Sequence, residues 1–165
     1  MSPRTTALAV AALAAALIAI PVLSASGDVV QTLTFKEVNK GSAFKYLDNP
    51  PVNPKRKRPV FSPGDEFVFT SPIVDEKGKD GELRAKCTVT RKAKGTDAGF
   101  NNSHPLCSGA LVLRDGTLFA SVVDAGAKVT RGAIAGGTGA YANARGTFTS
   151  TQTKSGSDDV VTLVS

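Results

Sequence analysis

Asp115-Gly116 stands between two alternating runs, residues 109–114 and 117–123. In that setting an Asp-Gly pair signals a tight hairpin, because glycine accepts the positive φ that the turn demands. The same punctuation recurs at Lys77-Gly78-Lys79-Asp80-Gly81 and at Ser155-Gly156-Ser157. Further runs rich in Val, Thr, Leu and Phe lie at residues 29–39, 66–74, 83–91, 128–135, 145–153 and 159–164. Beyond residue 26 no stretch shows a convincing helical period. About eight short antiparallel strands in one domain predict a closed barrel or a sandwich. Pro50, Pro51, Pro54, Pro59 and Pro63 crowd one stretch. Proline cannot feed a central ladder, so an extended loop is expected there, before the second strand. Residues 94–106 are polar and glycine-bearing and read as a second loop.

The first 26 residues differ in kind. A short polar segment carrying Arg4 precedes an unbroken apolar run over residues 7–20, and small residues follow. That order predicts a secretory signal peptide over 1–26, cut after Ala25 or Ser26, and a single domain over 27–165. A retained single-span anchor is the alternative; the apolar run is short for it. The chain's net charge is +6, with 20 Lys and Arg against 14 Asp and Glu. Both signs are spread along the chain, as in an ordinary soluble surface. The run Lys55-Arg56-Lys57-Arg58 reads as a solvated loop, with a polyanion site as the alternative. Asn101-Asn102-Ser103 is a glycosylation sequon in a host that glycosylates. In an exported chain the two cysteines, Cys87 and Cys107, read as one disulfide closing a loop of about 20 residues, worth roughly 3 kcal/mol. Cys87 shares an apolar face with Leu83, Ala85 and Val89, so a free inward thiol competes with the bridge. One histidine, His104, and no paired-cysteine motif leave a metal site unsupported.

Gly137-Thr138-Gly139-Ala140-Tyr141-Ala142 imitates a dinucleotide-binding fingerprint, and Asp158 and Asp159 follow about 20 residues on. That fingerprint works only between a strand and a helix. Here a glycine and the alternation of Thr147, Thr149 and Thr151 follow instead, which is a strand pattern. Gly136, Gly137 and Gly139 are therefore expected to make a tight turn or bulge between two strands.

The stretch Ala133-Ile134-Ala135-Gly136-Gly137-Thr138-Gly139-Ala140-Tyr141-Ala142-Asn143-Ala144-Arg145-Gly146 resembles the glycine signature of dirigent proteins and the matching stretch of allene oxide cyclases. "PGDEFVFTSPIVDEKGKDGELRAKCTVT", residues 63–90, is similar to a second block of those families, and "TLTFKEVN", residues 32–39, to their first strand. The resemblance implies an all-β fold, an eight-stranded antiparallel β-barrel of the allene oxide cyclase/dirigent-like type. With the leader read over 1–26 making the protein secreted, it also implies a barrel that binds a hydrophobic small molecule and steers its cyclisation or stereoselective coupling without metal or organic cofactor. A homodimer or homotrimer is implied by resemblance alone. No nucleic-acid partner is expected, and no membrane partner once the leader is removed. A non-catalytic ligand-binding or surface-interaction barrel is the alternative.

Candidate site residues follow from both lines of reasoning. Leu33, Phe35, Glu37 and Asn39 share one face of the first strand, opposite Thr32, Thr34 and Lys36. Glu37 thus points inward at the end of an apolar strand, a place suited to acid/base or cation-stabilising work, unless it only solvates a wet rim. The resemblance assigns Glu37 the catalytic position, Asn39 a water-holding one and Arg145 a pocket position where it would bind a substrate oxygen. Phe35 and Phe69 are expected to line the pocket, with Asp124 as a second acid. Tyr141 is expected to pack in the core. The chain departs from allene oxide cyclases in lacking tyrosines over residues 122–128, and from some dirigent proteins in having Ala140 where they carry an acid.

Overall fold

The computed structural model describes residues 30–51, 61–78, 80–91, 103–123 and 127–164. The proposed leader, the basic run 55–58, Asp124 and the asparagines of the sequon lie outside the described residues.

The alternating runs form strands β1 (Val30–Val38), β2 (Ala43–Leu47), β3 (Glu66–Asp75), β4 (Asp80–Val89), β5 (Pro105–Leu113), β6 (Gly116–Val123), β7 (Val129–Gly137), β8 (Arg145–Gln152) and β9 (Gly156–Val164). From β3 to β9 each strand pairs antiparallel with the next. β1 then pairs β9 along its length, from Val30↔Val164 to Val38↔Gly156. It also pairs β3 through Phe35↔Asp75, Lys36↔Val74 and Glu37↔Ile73. That last ladder closes the sheet into an eight-stranded antiparallel barrel.

β2 is an addition to the expected set. β1 leaves β3 at Glu37, the chain turns with Ser42 N–H donating to the Asn39 carbonyl, and β2 resumes beside β3 at Ala43↔Thr70. Its residues pair because β3 would otherwise carry an open edge there. Pro72, which has no N–H to donate, stands where β3 changes partner. β5 begins at Pro105 rather than within a loop ending at 106, as its ladder with β4 runs from Glu82↔Val112 to Val89↔Pro105. A proline at the first position of a strand costs the ladder nothing.

The glycine stretch contains both devices expected of it. Phe119 faces Gly136 while Ala120 faces Ile134, so Ala135 is the extra residue of a bulge. Gly139 opens a short 3-10 turn, Gly139–Tyr141, with φ +61. A Cβ there would strike the Asp115 carbonyl, so only glycine lets this turn lie on the Asp115-Gly116 hairpin. Ala140 N–H donates to that carbonyl at 2.8 Å, and half-buried Tyr141 packs against the core.

Two clusters fill the interior. Phe35, Ile73, Leu83, Leu111, Leu118, Ile134, Phe148, Val161 and Leu163 belong to the larger. Phe61, Phe67, Val89 and the Cys87–Cys107 disulfide make the smaller. The two cysteines sit directly opposite one another on β4 and β5, Cα atoms 4.0 Å apart. The bridge decides between the two readings of Cys87.

Candidate functional site

The two core clusters leave a space between them. A cavity of about 550 Å³ is lined by members of both, with Phe69 and Val122 touching each cluster. Phe44, Phe67, Phe69 and Phe148 supply its aromatic wall. Its polar groups gather from strand ends: Glu37 and Asn39 beyond or near the end of β1, Ser150 and Gln152 of β8, Ser157 at the start of β9 and Thr130 at the start of β7. In an antiparallel barrel these ends lie together, so one end of the cavity is polar and the rest apolar. A mostly apolar cavity with a few convergent polar groups is the usual form of a small-molecule site. A wider groove of about 770 Å³ crosses the outer face of β2–β7 past Val68, Ala110 and Phe119. Two of its cations, Arg84 and Lys86, are already paired with Glu82 and Glu66, and none of the described residues lining it carries a carboxyl group.

Inward alternation of β9 puts Ser157, Asp159, Val161 and Leu163 on the buried face. Register then sets Ser157 beside Glu37, and Asp159 beside Phe35 on one side and Ser150 on the other. Ser157 Oγ lies 2.9 Å from Glu37 Oε2 and 2.8 Å from Asp159 Oδ1. Asp159 is 1% exposed, and its Oδ2 has no hydrogen-bond partner among the described residues. Burial pushes its carboxyl up to about 6; the hydroxyls of Ser150 and Ser157 oppose this, and the charges of Glu37 and Asp158 add to it. Ser150 therefore favours the charged form from across the ladder without capping Oδ2.

The raised value has a consequence for stability. The folded state holds a proton on Asp159 that the unfolded chain releases near pH 4, so this stabilisation is complete below about pH 4. It is lost as pH rises through about 6, by about 3 kcal/mol at neutral pH. Asp159→Asn cannot titrate. The stability of this variant relative to wild type should rise by about 3 kcal/mol between pH 4 and pH 8, read by urea denaturation at each pH. A constant difference across that range would show that Asp159 titrates normally.

The structure brings Glu37, Asn39 and Phe69 to one cavity. Glu37 is half-buried; Asn39 is exposed at the rim, its N–H donating to the Ser155 carbonyl at 3.1 Å. Two expectations need correction. Phe35 does not line the cavity: it is 6% exposed within the larger core cluster, because the apolar packing of β1 against β9 encloses it. Arg145 is not in the cavity either. Its side chain is exposed and Nη1 donates to the Ala135 carbonyl at 3.0 Å and the Ala144 carbonyl at 3.2 Å. Those bonds fasten β8 to the bulge in β7, so the guanidinium is spent on backbone at the glycine turn. Among the described residues lining the cavity there is no lysine or arginine.

Asp159 and Ser157 were the residues that sequence reasoning passed over. Their signal was the alternation of β9, in which an aspartate shares a face with Val161 and Leu163.

These features define a closed antiparallel barrel with an internal cavity, and its fold is that of the allene oxide cyclase/dirigent-like barrels. The chain is similar to a solved structure of pyocyanin demethylase, with a TM-score of 0.59 and 24% identity, over 82% of this chain and 99% of that one. Two pterocarpan synthase dirigent proteins align at 16% identity. One has a TM-score of 0.49 over 87% of this chain and 91% of its own. The other has 0.45 over 84% and 93%. No protein-family model and no curated protein matches the sequence.

Proposed function

We propose that the barrel binds a hydrophobic, ring-bearing small molecule in the central cavity and steers its cyclisation or stereoselective coupling. The observation that carries this reading is the sorting of the cavity: aromatic walls, with the polar groups collected at the Glu37 end. Such a site holds a flexible or reactive molecule in one folded geometry and keeps water from most of it. Glu37 is the group that touches the reacting end and moves a proton or stabilises positive charge. Asn39 at the rim holds a water. The disulfide is compatible with an oxidising compartment, and export through the leader over 1–26 belongs to the same proposal.

Native mass spectrometry of the protein purified from its own host names the ligand class by the mass that rides in the barrel, and it counts subunits. With a substrate of that class, Glu37→Gln should lower turnover about 100-fold or more, the range of general acid–base catalysis. An uncharged ligand should still bind with Kd within about threefold of wild type, since the aromatic wall is untouched. Unchanged turnover would take Glu37 out of the chemistry. The second reading, a binding barrel without catalysis, draws on the position of Arg145, which leaves the cavity without the expected cation for a substrate oxygen.

A further inference from the structure

Ser157 has one hydrogen to give, yet its oxygen sits within hydrogen-bond distance of two carboxyl groups. It can donate to only one of them. The other contact is favourable only if that carboxyl is itself protonated and donates to Ser157 Oγ. Two ionised carboxylates held about this single hydroxyl would leave one lone pair against another.

A second observation points the same way. Asp159 is enclosed, and its Oδ2 has no partner among the described residues, which is costly for a carboxylate and much less so for a neutral acid. The charged groups around the pair do not relieve it. Glu37 faces it from β1. Asp158 lies on the outer face of β9, held by Lys36 at 3.0 Å, and both are exposed. Asp75 and Glu76, at the end of β3, line a separate groove of about 230 Å³ together with Lys36, Asp158 and Asp159. On β8 the Ser150 hydroxyl lies across the ladder from Asp159, and the uncharged Gln152 lies across from Ser157.

We propose that Glu37 and Asp159, joined through Ser157, form one carboxyl pair that holds a single proton and carries one negative charge, and that this pair makes the cavity take ring-bearing ligands with a protonated nitrogen in preference to ligands with a carboxylate. The inference rests on the central cavity being the ligand site. Glu37 and Ser157 line it, and Asp159 lies behind Ser157 as the positioning residue that stores the proton. A carboxylate ligand would meet a net negative charge with no cation in the described wall. An ammonium would find one charge opposite its own in a largely apolar space, where such attraction is stronger than in water.

Two measurements on the purified full chain test this. In a carboxyl-carbon NMR titration, the Glu37 and Asp159 signals should move together in two separated steps that belong to the pair. In Asp159→Asn the Glu37 signal should show a single step. Signals that titrate independently in the ordinary carboxylate range would overturn the proposal whatever ligands do. In calorimetry at pH 5, below the second step, 1-naphthylmethylammonium should bind at least about 10-fold more tightly than 1-naphthoate, with 1-naphthalenemethanol between them. That preference should grow as pH rises through the second step, and Asp159→Asn should abolish the growth. Equal binding of the ammonium and the carboxylate would overturn the charge selection and leave the cavity reading standing. A shared proton with no binding of any probe would overturn the cavity reading, and the ligand preference with it.

Discussion

Asp65→Ala should destabilise the protein by about 4 kcal/mol, lowering Tm by roughly 10–15 °C. Asp65 is fully buried, and its carboxylate accepts three hydrogen bonds: from Tyr46 OH at 2.7 Å, from Asn49 N–H at 2.9 Å and from Ser62 N–H at 2.7 Å. Its own backbone carbonyl accepts from Val89 N–H at 2.8 Å. The side chain thus ties β2 to the two sides of the proline-rich stretch, and the residue's backbone adds the end of β4. Burial alone would raise this carboxyl. The bonds from Asn49, Tyr46 and Ser62 outweigh it and hold Asp65 below the ordinary carboxylate range. Tyr46 moves the other way, its phenol pushed above the ordinary range by burial and by donating to Asp65.

Alanine removes the acceptor and leaves three donors unmatched, which is where most of the loss arises. Asp65→Asn keeps a carbonyl oxygen and should lose about half as much. Asp65 titrates below its unfolded value, so its contribution is present above the unfolded value near pH 4 and lost as pH falls through the folded one. The gap between wild type and Asp65→Asn should therefore narrow in acid, opposite in sense to Asp159. Urea denaturation at pH 7 and at pH 3 reads both. A loss under about 1 kcal/mol at pH 7 would mean that the segment around residues 46–65 is not held by this carboxylate. Ligand affinity should fall with stability, because β2 carries Phe44, which lines the cavity and stacks on Phe67 with ring centroids 5.7 Å apart.

Gly156→Ala should cost about 4 kcal/mol or more and disable the cavity at the same time. Gly156 has φ +154 and lies opposite Val38 in the β1–β9 ladder. A Cβ at this position would overlap the Glu37 carbonyl oxygen, which is backbone and cannot swing aside. The clash and the unfavourable φ add, and relief requires β1 to move off β9. That movement would part Glu37 from Ser157. Denaturation and the carboxyl titration together check the result. Near-wild-type stability with the Glu37 and Asp159 signals still moving together would show that the two strands adjust without cost.

Particular residues show how far the site was legible. Glu37 was visible because alternation from Leu33 through Phe35 aims it inward, and a charge on an apolar face stands out. Asp159 carries the same signature with Val161 and Leu163, but a strand read from residue 159 begins too late to include Ser157, the atom that joins the two acids. Arg145 was misplaced because neither a motif nor a period says which way a residue next to a bulge turns, and Ala135 is that bulge. Phe35 was inward, as alternation requires, yet inward is not the same as facing the cavity.

Local chemistry in the sequence determined the strands, the Asp115-Gly116 hairpin, the glycine turn and the antiparallel order, because period and turn residues act over a few positions of chain. The barrel's closure through β1 and β3, the extra strand β2, and the meeting of Glu37, Ser157 and Asp159 were decided only by tertiary structure. Each depends on register between strands far apart in sequence. A shift of one residue would turn every side chain to the other face, so these contacts exist only once the whole sheet has paired.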